Sequence, residues 1–170
     1  MQGEKTPRIG RSADWKRFRA GRFFLAHGAQ RWTRRAAVSC RLENMIVGIG
    51  VDLCEVERME AAIGRYGERL LARIYTEAER AYCESRANRM ERFAGRFAAK
   101  EAAMKAIGTG WRRGVGWRDF EVMRAASGQP LIVFHGVASR IAGELGVRRA
   151  LVSITHIRSM AMAQVVLESE

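Results

Sequence analysis

Charged and small residues alternate between Arg96 and Gly110 in a pattern that suits the binding of anionic ligands. Glu101 and Lys105 are four residues apart, so on a helix their side chains are neighbours on one face. A Gly-Thr-Gly sequence, residues 108–110, follows within one turn. This spacing predicts a place for a metal ion and a phosphate. The alternative is an ion pair on a solvated helix face, which contributes only about 0.2–0.5 kcal/mol.

Two further polar residues stand where predicted strands end. Asp52 follows Met45 to Val51, an apolar run rich in β-branched residues that predicts a buried strand. A carboxylate there is either a helix N-cap or a functional group at the sheet edge. His156 ends a later apolar segment beside Arg158, which makes its imidazole a candidate ligand contact.

The glycine-rich segment is less specific than the charged residues. Gly108-Thr109-Gly110 lacks the spacing of a P-loop and of a dinucleotide-binding fingerprint. Glycine directly after Ile107 is also where a helix commonly ends. The segment is therefore either a helix C-cap or a phosphate loop, and the two are compatible. Lys100 falls on the apolar face of the same helix, so its amine must reach solvent or meet a phosphate.

Hydrophobic periodicity predicts the elements that position these residues. Nothing from Arg96 to Ile107 breaks a helix, and an apolar stripe runs along it. The stripe consists of Phe93, Phe97, Met104 and Ile107. An earlier helix begins after Cys54, residues 76–79 are a capping-box sequence that starts another, and residues 86–92 are expected to be a loop. The remaining pattern predicts a hairpin of 117–123 with 131–134, a short helix over 137–145, and a hairpin of 150–156 with 160–167.

Composition fits one main folded domain. The chain has 170 residues, of which 48% are hydrophobic and two are proline. Its three cysteines, Cys40, Cys54 and Cys83, show no C-x-x-C spacing, which favours reduced thiols in the cytoplasm and argues against a structural zinc site. No apolar run approaches the roughly 20 residues that span a bilayer, so no membrane partner is expected.

The net charge of +12 is concentrated near the N-terminus. Residues 1–44 hold eleven Lys or Arg and three acidic residues, a net +8, and lack sustained periodicity, so we expect a disordered basic extension. It is a nucleic-acid or anionic-surface arm, a targeting peptide, or sequence read from a start codon placed too early. We favour the last, because Met45 opens the first strongly patterned segment. The rival function is a nucleic-acid-binding protein that uses this arm.

Four segments in order span residues 45 to about 167 and together resemble the holo-acyl-carrier-protein synthases. They are MIVGIGVDLCEVER (45–58), RFAGRFAAKEAAMKAIGTG (92–110), WRDFEV with GQP (117–122 and 128–130), and VSITH (152–156). The resemblance implies the α+β fold of 4′-phosphopantetheinyl transferases, in which an antiparallel sheet packs on a long central helix. It also implies one copy per chain, over residues 45–170.

The resemblance implies a reaction and its residues. The 4′-phosphopantetheine group of coenzyme A passes to a serine of apo acyl carrier protein, in fatty acid biosynthesis, and adenosine 3′,5′-bisphosphate is released. Asp52 and Glu101 match two Mg²⁺ ligands, and Lys105 matches a lysine beside the pyrophosphate; we take these three as catalytic. The serine proton goes to a water or hydroxide on the metal, to Asp52 or to Glu101, and the choice stays open.

The resemblance also implies contacts with the nucleotide and with partners. Gly108, Thr109 and Gly110 match a loop along the pyrophosphate with its amides inward, and Arg96 and His156 match positions near the nucleotide. Arg58 matches an arginine that meets the acidic carrier protein, and we extend this to a basic strip with Arg65 and Arg69. Relatives of this size form trimers with shared sites, so we expect a homotrimer in which His156 and Gln164 act from the neighbouring chain. No nucleic-acid partner is expected.

Overall fold

The structure is a computed structural model that describes residues 45–110 and 113–169. The predictions for residues 1–44 lie outside this range. The described residues form, in order, β1 (Met45–Glu55), α1 (Val56–Ile74), α2 (Glu77–Glu84), α3 (Arg89–Ala106), a 3₁₀ turn (Trp117–Asp119), β2 (Phe120–Arg124), β3 (Pro130–Phe134), α4 (Gly136–Glu144), β4 (Arg149–His156) and β5 (Met160–Ser169). In these segments, no helix has the length and hydropathy needed to cross a membrane.

The strands form two antiparallel sheets, which confirms the predicted α+β class. One sheet has three strands in the order β1-β5-β4, and the other is the β2-β3 hairpin. Strand β1 runs four residues further than predicted, so Asp52 lies inside the strand and pairs with Ala163 of β5. The strand continues because the alternation of inward and outward residues continues: Gly50 and Cys54 are buried on the inner face, and Asp52 between them is partly buried.

The long helix α3 packs against the inner face of the three-stranded sheet. The apolar stripe predicted from the sequence is buried, with Phe93 and Met104 at 2% and 0% exposure. The helix begins at Arg89, so the predicted loop over residues 86–92 is confirmed for residues 86–88 and was wrong for residues 89–92. Side-chain hydrogen bonds explain the earlier start: Asn88 Nδ2 donates to Glu91, and Arg92 Nε donates to Asn88 Oδ1. The charges there stabilise a first turn.

Glycines in β1 allow this strand to lie directly on α3. A Cβ atom added to Gly50 would stand 1.9 Å from the carbonyl oxygen of Ala102, and one added to Gly48 would stand 2.2 Å from that of Ala106. Real Cβ atoms cannot approach backbone so closely, so only glycine fits at these two positions. This close contact holds Asp52, two residues after Gly50, against the helix that carries Glu101.

Gly50→Ala is expected to destabilise the fold by about 1–3 kcal/mol or more, because the helix and strand must move apart to admit one methyl group. Urea denaturation of the purified variant measures the change. Gly64→Ala is the matched control, since nothing lies within 4 Å of its added Cβ inside α1; it should stabilise by about 0.5–1 kcal/mol. Equal stability of the two variants would contradict the close contact.

Lys100 does not extend its amine to solvent, and the amine is not available to a phosphate, so both predicted alternatives were wrong. Its side chain is fully buried, with Nζ 2.7 Å from Glu79 Oε2. The amine also donates to the carbonyl oxygens of Phe120 and Trp117. Burial lowers the pKa of Lys100 below its usual value, and the charge of Glu79 opposes that shift.

Glu79 joins three elements through this ion pair. It is the last residue of the predicted capping box, which the structure confirms: its Oε2 accepts from Thr76 N, and Thr76 Oγ1 accepts from Glu79 N. Its Oε1 accepts from Val122 N in β2 at 2.9 Å. Helix α2, helix α3 and the β2-β3 hairpin are therefore held together at one buried carboxylate.

Helix α1 is broken by Gly67, whose φ of 54° and ψ of −141° are not helical. Arg58 and Arg65, seven residues apart, precede the break and share a face. Arg69 follows the break, so only Arg58 and Arg65 lie on the same continuous stretch of helix, and the basic strip that includes Arg69 stays a prediction.

Candidate active site

Lys105 and Asp52 form an ion pair between α3 and β1. Lys105 Nζ lies 2.7 Å from Asp52 Oδ1 and also donates to the carbonyl oxygen of Val51 at 2.8 Å. The side chain of Asp52 is 17% exposed, whereas that of Lys105 is 48% exposed. Spacing along the helix made Glu101 the predicted neighbour of Lys105; the fold adds a carboxylate from 53 residues earlier. The amine stays accessible to an anionic ligand.

Glu101 is only 7% exposed, so the interpretation of a solvated helix face was wrong. Glu101 lies near the thiol of Cys54. The pKa of that thiol is raised to about 12, mainly by burial and next by the charge of Asp52. The charge of Glu101 adds to this rise, and that of Arg58 opposes it. Asp52, Glu101 and Arg58 therefore act on one buried thiol. The junction of β1, α1 and α3 brings the two predicted metal ligands into one region.

The carboxylates of Asp52 and Glu101 suit a magnesium ion whose remaining ligands would come from substrate phosphates and water. In residues 45–110 and 113–169, no group of three or more His, Cys, Asp or Glu is arranged to hold a metal ion. Mg²⁺ is usually held in enzymes by one or two carboxylates together with substrate phosphates and water. Two hard oxygen donors beside an accessible lysine match that requirement. The presence of Mg²⁺ stays a prediction.

The segment Gly108 to Gly110 ends helix α3. The amide of Gly108 donates to Lys105 O at 3.0 Å, and the amides of Thr109 and Gly110 both donate to Met104 O at 3.2 Å. Gly108 has a φ of 71°, the left-handed conformation typical of a helix C-cap. The three amides therefore close the helix, which differs from the expectation that they face a pyrophosphate. A ligand contact by this segment stays a prediction.

Arg96 and His156, the two residues predicted near a nucleotide, meet in a pocket of about 230 Å³. The pocket lies among α2, α3, the β2-β3 turn and β4. Its lining includes three arginines, Arg92, Arg96 and Arg124, the imidazole of His156 and one carboxylate, that of Glu91. Glu91 Oε2 lies 3.2 Å from His156 Nδ1. Cationic groups outnumber the carboxylate, so the pocket suits an anionic ligand.

Arg96 is built into this pocket with one donor unused. The residue is 7% exposed, and its guanidinium carbon lies 4.1 Å from the centre of the Tyr82 ring. Within the described part of the chain, Arg96 Nε has no hydrogen-bond partner. A buried donor left without a partner costs about 1–3 kcal/mol, which a bound acceptor would recover.

Sequence reasoning missed Tyr82 and Arg124, which also line the pocket. Tyr82 belongs to the helix that starts at the predicted capping box, but nothing in that helix marks its ring as part of a pocket. Nothing in the sequence connects Arg124 to that helix.

The predicted site residues thus fall into two groups. Asp52, Glu101 and Lys105 gather at the β1 edge of the sheet, and none of them lines the pocket of Arg96 and His156 at the β4 edge. His156 of β4 pairs with Ala161 of β5, and Ala161 pairs with Cys54 of β1 on its other side. The two groups are therefore about two strand spacings apart, each of about 4.8 Å.

Comparison with known proteins places this arrangement in a family. The model of the 4′-phosphopantetheinyl transferase superfamily matches residues 48–159. A holo-[acyl-carrier-protein] synthase of Solibacter usitatus (strain Ellin6076) is 57% identical over 125 residues, which are 74% of this chain and 100% of that protein. These similarities give no support to a nucleic-acid-binding function.

Solved structures of holo-[acyl-carrier-protein] synthases have the same fold as this chain. The crystal structure of a holo-[acyl-carrier-protein] synthase from Neisseria meningitidis superposes with a TM-score of 0.68 and 32% identity, covering 74% of this chain and 100% of that one. A holo-(acyl-carrier-protein) synthase from Bacillus anthracis str. Ames in complex with CoA (3′,5′-ADP) gives 0.62 and 38%, covering 74% and 99%. The chain therefore belongs to the 4′-phosphopantetheinyl transferase superfamily, among its holo-[acyl-carrier-protein] synthases.

Proposed function

We infer that this chain transfers the 4′-phosphopantetheine group of coenzyme A to a serine of apo acyl carrier protein. The serine oxygen forms a bond to the phosphorus on the pantetheine side of the pyrophosphate. The bond from that phosphorus to the bridging oxygen breaks, the serine proton is lost, and adenosine 3′,5′-bisphosphate leaves. The observation that carries this proposal is the gathering of Asp52, Glu101 and Lys105 between β1 and α3.

The reaction needs charge neutralisation and positioning more than a covalent intermediate. Lys105 presents a half-exposed amine that can pair with the developing charge on the leaving phosphate. Asp52 orients that amine through its 2.7 Å ion pair. A bound Mg²⁺ supplies further positive charge at the pyrophosphate, and we assign Asp52 and Glu101 as the residues that hold it.

The adenosine end of coenzyme A fits the cationic pocket of Arg96 and His156. Support comes from the unused Nε of Arg96 and from the excess of cationic lining groups. His156 is oriented by Glu91, so one imidazole edge is fixed and the other faces the pocket. Gly108, Thr109 and Gly110 begin three residues after Lys105, at the end of the same helix, which keeps them near the pyrophosphate in this proposal.

Arg58 is the proposed contact for the acidic carrier protein. It is half-buried in the first turn of α1, near the two carboxylates that act on Cys54. Arg65, seven residues on, is exposed on the same face and extends the positive surface. Attraction between this surface and an acidic partner accelerates docking in a salt-dependent way.

The outer face of the three-stranded sheet supports assembly into a trimer. Exposed apolar side chains cover it: Ile49 at 57%, Val51 at 45%, Leu53 at 59%, Met162 at 38% and Leu151 at 36%. Gln164 lies among them, opposite Val51 and Ser153 in the sheet. A contiguous apolar face of this kind usually marks a protein interface.

This assembly keeps the expectation that His156 acts with a neighbouring chain. Gln164, on the outer face, would contact the neighbouring subunit rather than the reacting atoms.

The described cysteines, Cys54 and Cys83, are free thiols, which accords with the reducing cytoplasm as the place of reaction.

Incubation with coenzyme A, Mg²⁺ and an apo acyl carrier protein tests the function, with intact-mass measurement of the carrier. The carrier is expected to gain the mass of one phosphopantetheine, and to gain nothing when its acceptor serine is replaced by alanine. Chelation of Mg²⁺ should abolish the gain. An unchanged carrier mass under saturating substrates would refute the proposed reaction.

A further inference from the structure

We propose that Arg124 is a specificity-determining residue that recognises the 3′-phosphomonoester of coenzyme A. The proposal rests on the proposed function. If the pyrophosphate lies at Lys105, the remaining anionic group of coenzyme A is the phosphate on the ribose. The cationic pocket around Tyr82 must then receive that dianion.

Arg124 is exposed, yet its guanidinium is held in one orientation. Its Nε donates to the carbonyl oxygen of Gly128 at 2.8 Å, and its Nη1 donates to Tyr82 Oη at 3.1 Å. Gly128 has a φ of 92°, and a Cβ atom added there would stand 3.0 Å from Arg124 Nη2. The β2-β3 turn therefore needs glycine to close over the guanidinium. Exposed arginines are normally mobile, so this one is pre-organised at the pocket.

Three guanidinium groups lie over the Tyr82 ring, and two of them, those of Arg96 and Arg124, also line the pocket. Arg96 lies 4.1 Å and Arg124 lies 5.9 Å from its centroid. Neither forms an ion pair with a carboxylate in the described segments, because the pocket's Glu91 is paired with His156. Two like charges held on one ring repel each other until an anion lies between them.

A phosphomonoester dianion matches these two cations in charge and geometry. Guanidinium groups bind phosphate oxygens through parallel charge-assisted hydrogen bonds, which lysine cannot reproduce. Arg96 contributes a buried N–H donor, and Arg124 contributes a guanidinium held in place by the β2-β3 turn. Coenzyme A satisfies both, whereas 3′-dephospho-coenzyme A leaves Arg124 without its ligand.

Transfer kinetics with coenzyme A and with 3′-dephospho-coenzyme A as phosphopantetheine donors test the proposal. Arg124→Ala is expected to lower kcat/KM for coenzyme A by about 10- to 100-fold, mainly through KM, and to leave kcat/KM for 3′-dephospho-coenzyme A within about twofold. Arg124→Lys should recover only part of the loss. Gly128→Ala keeps the arginine but displaces its guanidinium, so it should shift the preference in the same direction.

Arg86→Ala is the matched control. Its guanidinium lies 5.1 Å from the same Tyr82 ring, but Arg86 does not line the pocket. It should leave the preference for coenzyme A unchanged. An equal effect of Arg124→Ala on both donors, or no effect on either, would overturn the proposal.

Calorimetry separates this proposal from the proposed function. Wild-type protein should bind adenosine 3′,5′-bisphosphate more tightly than adenosine 5′-monophosphate, and Arg124→Ala should reduce that difference, since only Arg96 then remains to bind the 3′-phosphate. This holds whether or not phosphopantetheine is transferred. Absence of transfer by the wild type would refute the function alone, whereas equal affinity of the wild type for both nucleotides would refute the role of Arg124.

Discussion

Glu101→Gln is expected to lower the turnover number by about two to three orders of magnitude, because a neutral amide would hold the charge-neutralising Mg²⁺ less tightly than the carboxylate does. Glutamine has nearly the same shape, so the 7% exposed site should stay packed and the melting temperature should stay close to that of the wild type. Steady-state transfer to apo carrier protein, measured over a range of Mg²⁺ concentrations, checks the turnover number, and thermal denaturation checks the melting temperature. The concentration of Mg²⁺ needed for half-maximal rate should rise.

Glu144→Gln is the control for this substitution. Glu144 is an exposed carboxylate on α4, paired with Arg140 one turn away. The same chemical change there should leave turnover unaltered. If Glu101→Gln also transfers at the wild-type rate, the chain would bind its carrier without using this carboxylate in catalysis, and the assignment of Glu101 would be wrong.

Lys100→Met is expected to destabilise the fold by about 3–5 kcal/mol, since it leaves the Glu79 carboxylate buried without a cation. The carbonyl oxygens of Phe120 and Trp117 also lose a donor. Urea denaturation measures the loss. Methionine keeps most of the volume of the lysine stem, so the effect reports on charge and hydrogen bonding rather than on a cavity.

A double-mutant cycle isolates the pair. Glu79→Gln combined with Lys100→Met removes both charges, and it should be more stable than Lys100→Met alone. Arg140→Met, which breaks the exposed pair with Glu144, should change stability by no more than about 0.5 kcal/mol. A cost at Lys100 no larger than that at Arg140 would show that the buried pair does not hold the three elements together.

Local patterns predicted the elements well where a single helix or strand determines them. The capping box at Thr76, the apolar stripe of α3 and both hairpins follow from residues close in sequence, and the structure contains all of them. Predictions were less accurate where side chains decide an element's end. The start of α3 at Arg89 depends on hydrogen bonds of Asn88, which a charge-rich sequence does not display.

The candidate site was predicted in part for the same reason. Glu101 and Lys105 are neighbours on one helix, so their spacing made them visible, and motif resemblance added Asp52 and the nucleotide pair of Arg96 and His156. Tyr82 and Arg124 were not predicted, because α2 and the β2-β3 turn meet only in the fold.

The sequence by itself determined the fold class and the family, because both are encoded in periodicity or in motifs of adjacent residues; for the residues of the reaction it supplied a prediction. Only the tertiary structure decided which charges meet. Lys105 pairs with Asp52, and Lys100 with Glu79, since burial and strand contact bring distant residues within 2.7 Å. A carboxylate that looks solvated in the sequence is buried, because glycines in β1 let the sheet lie directly on its helix.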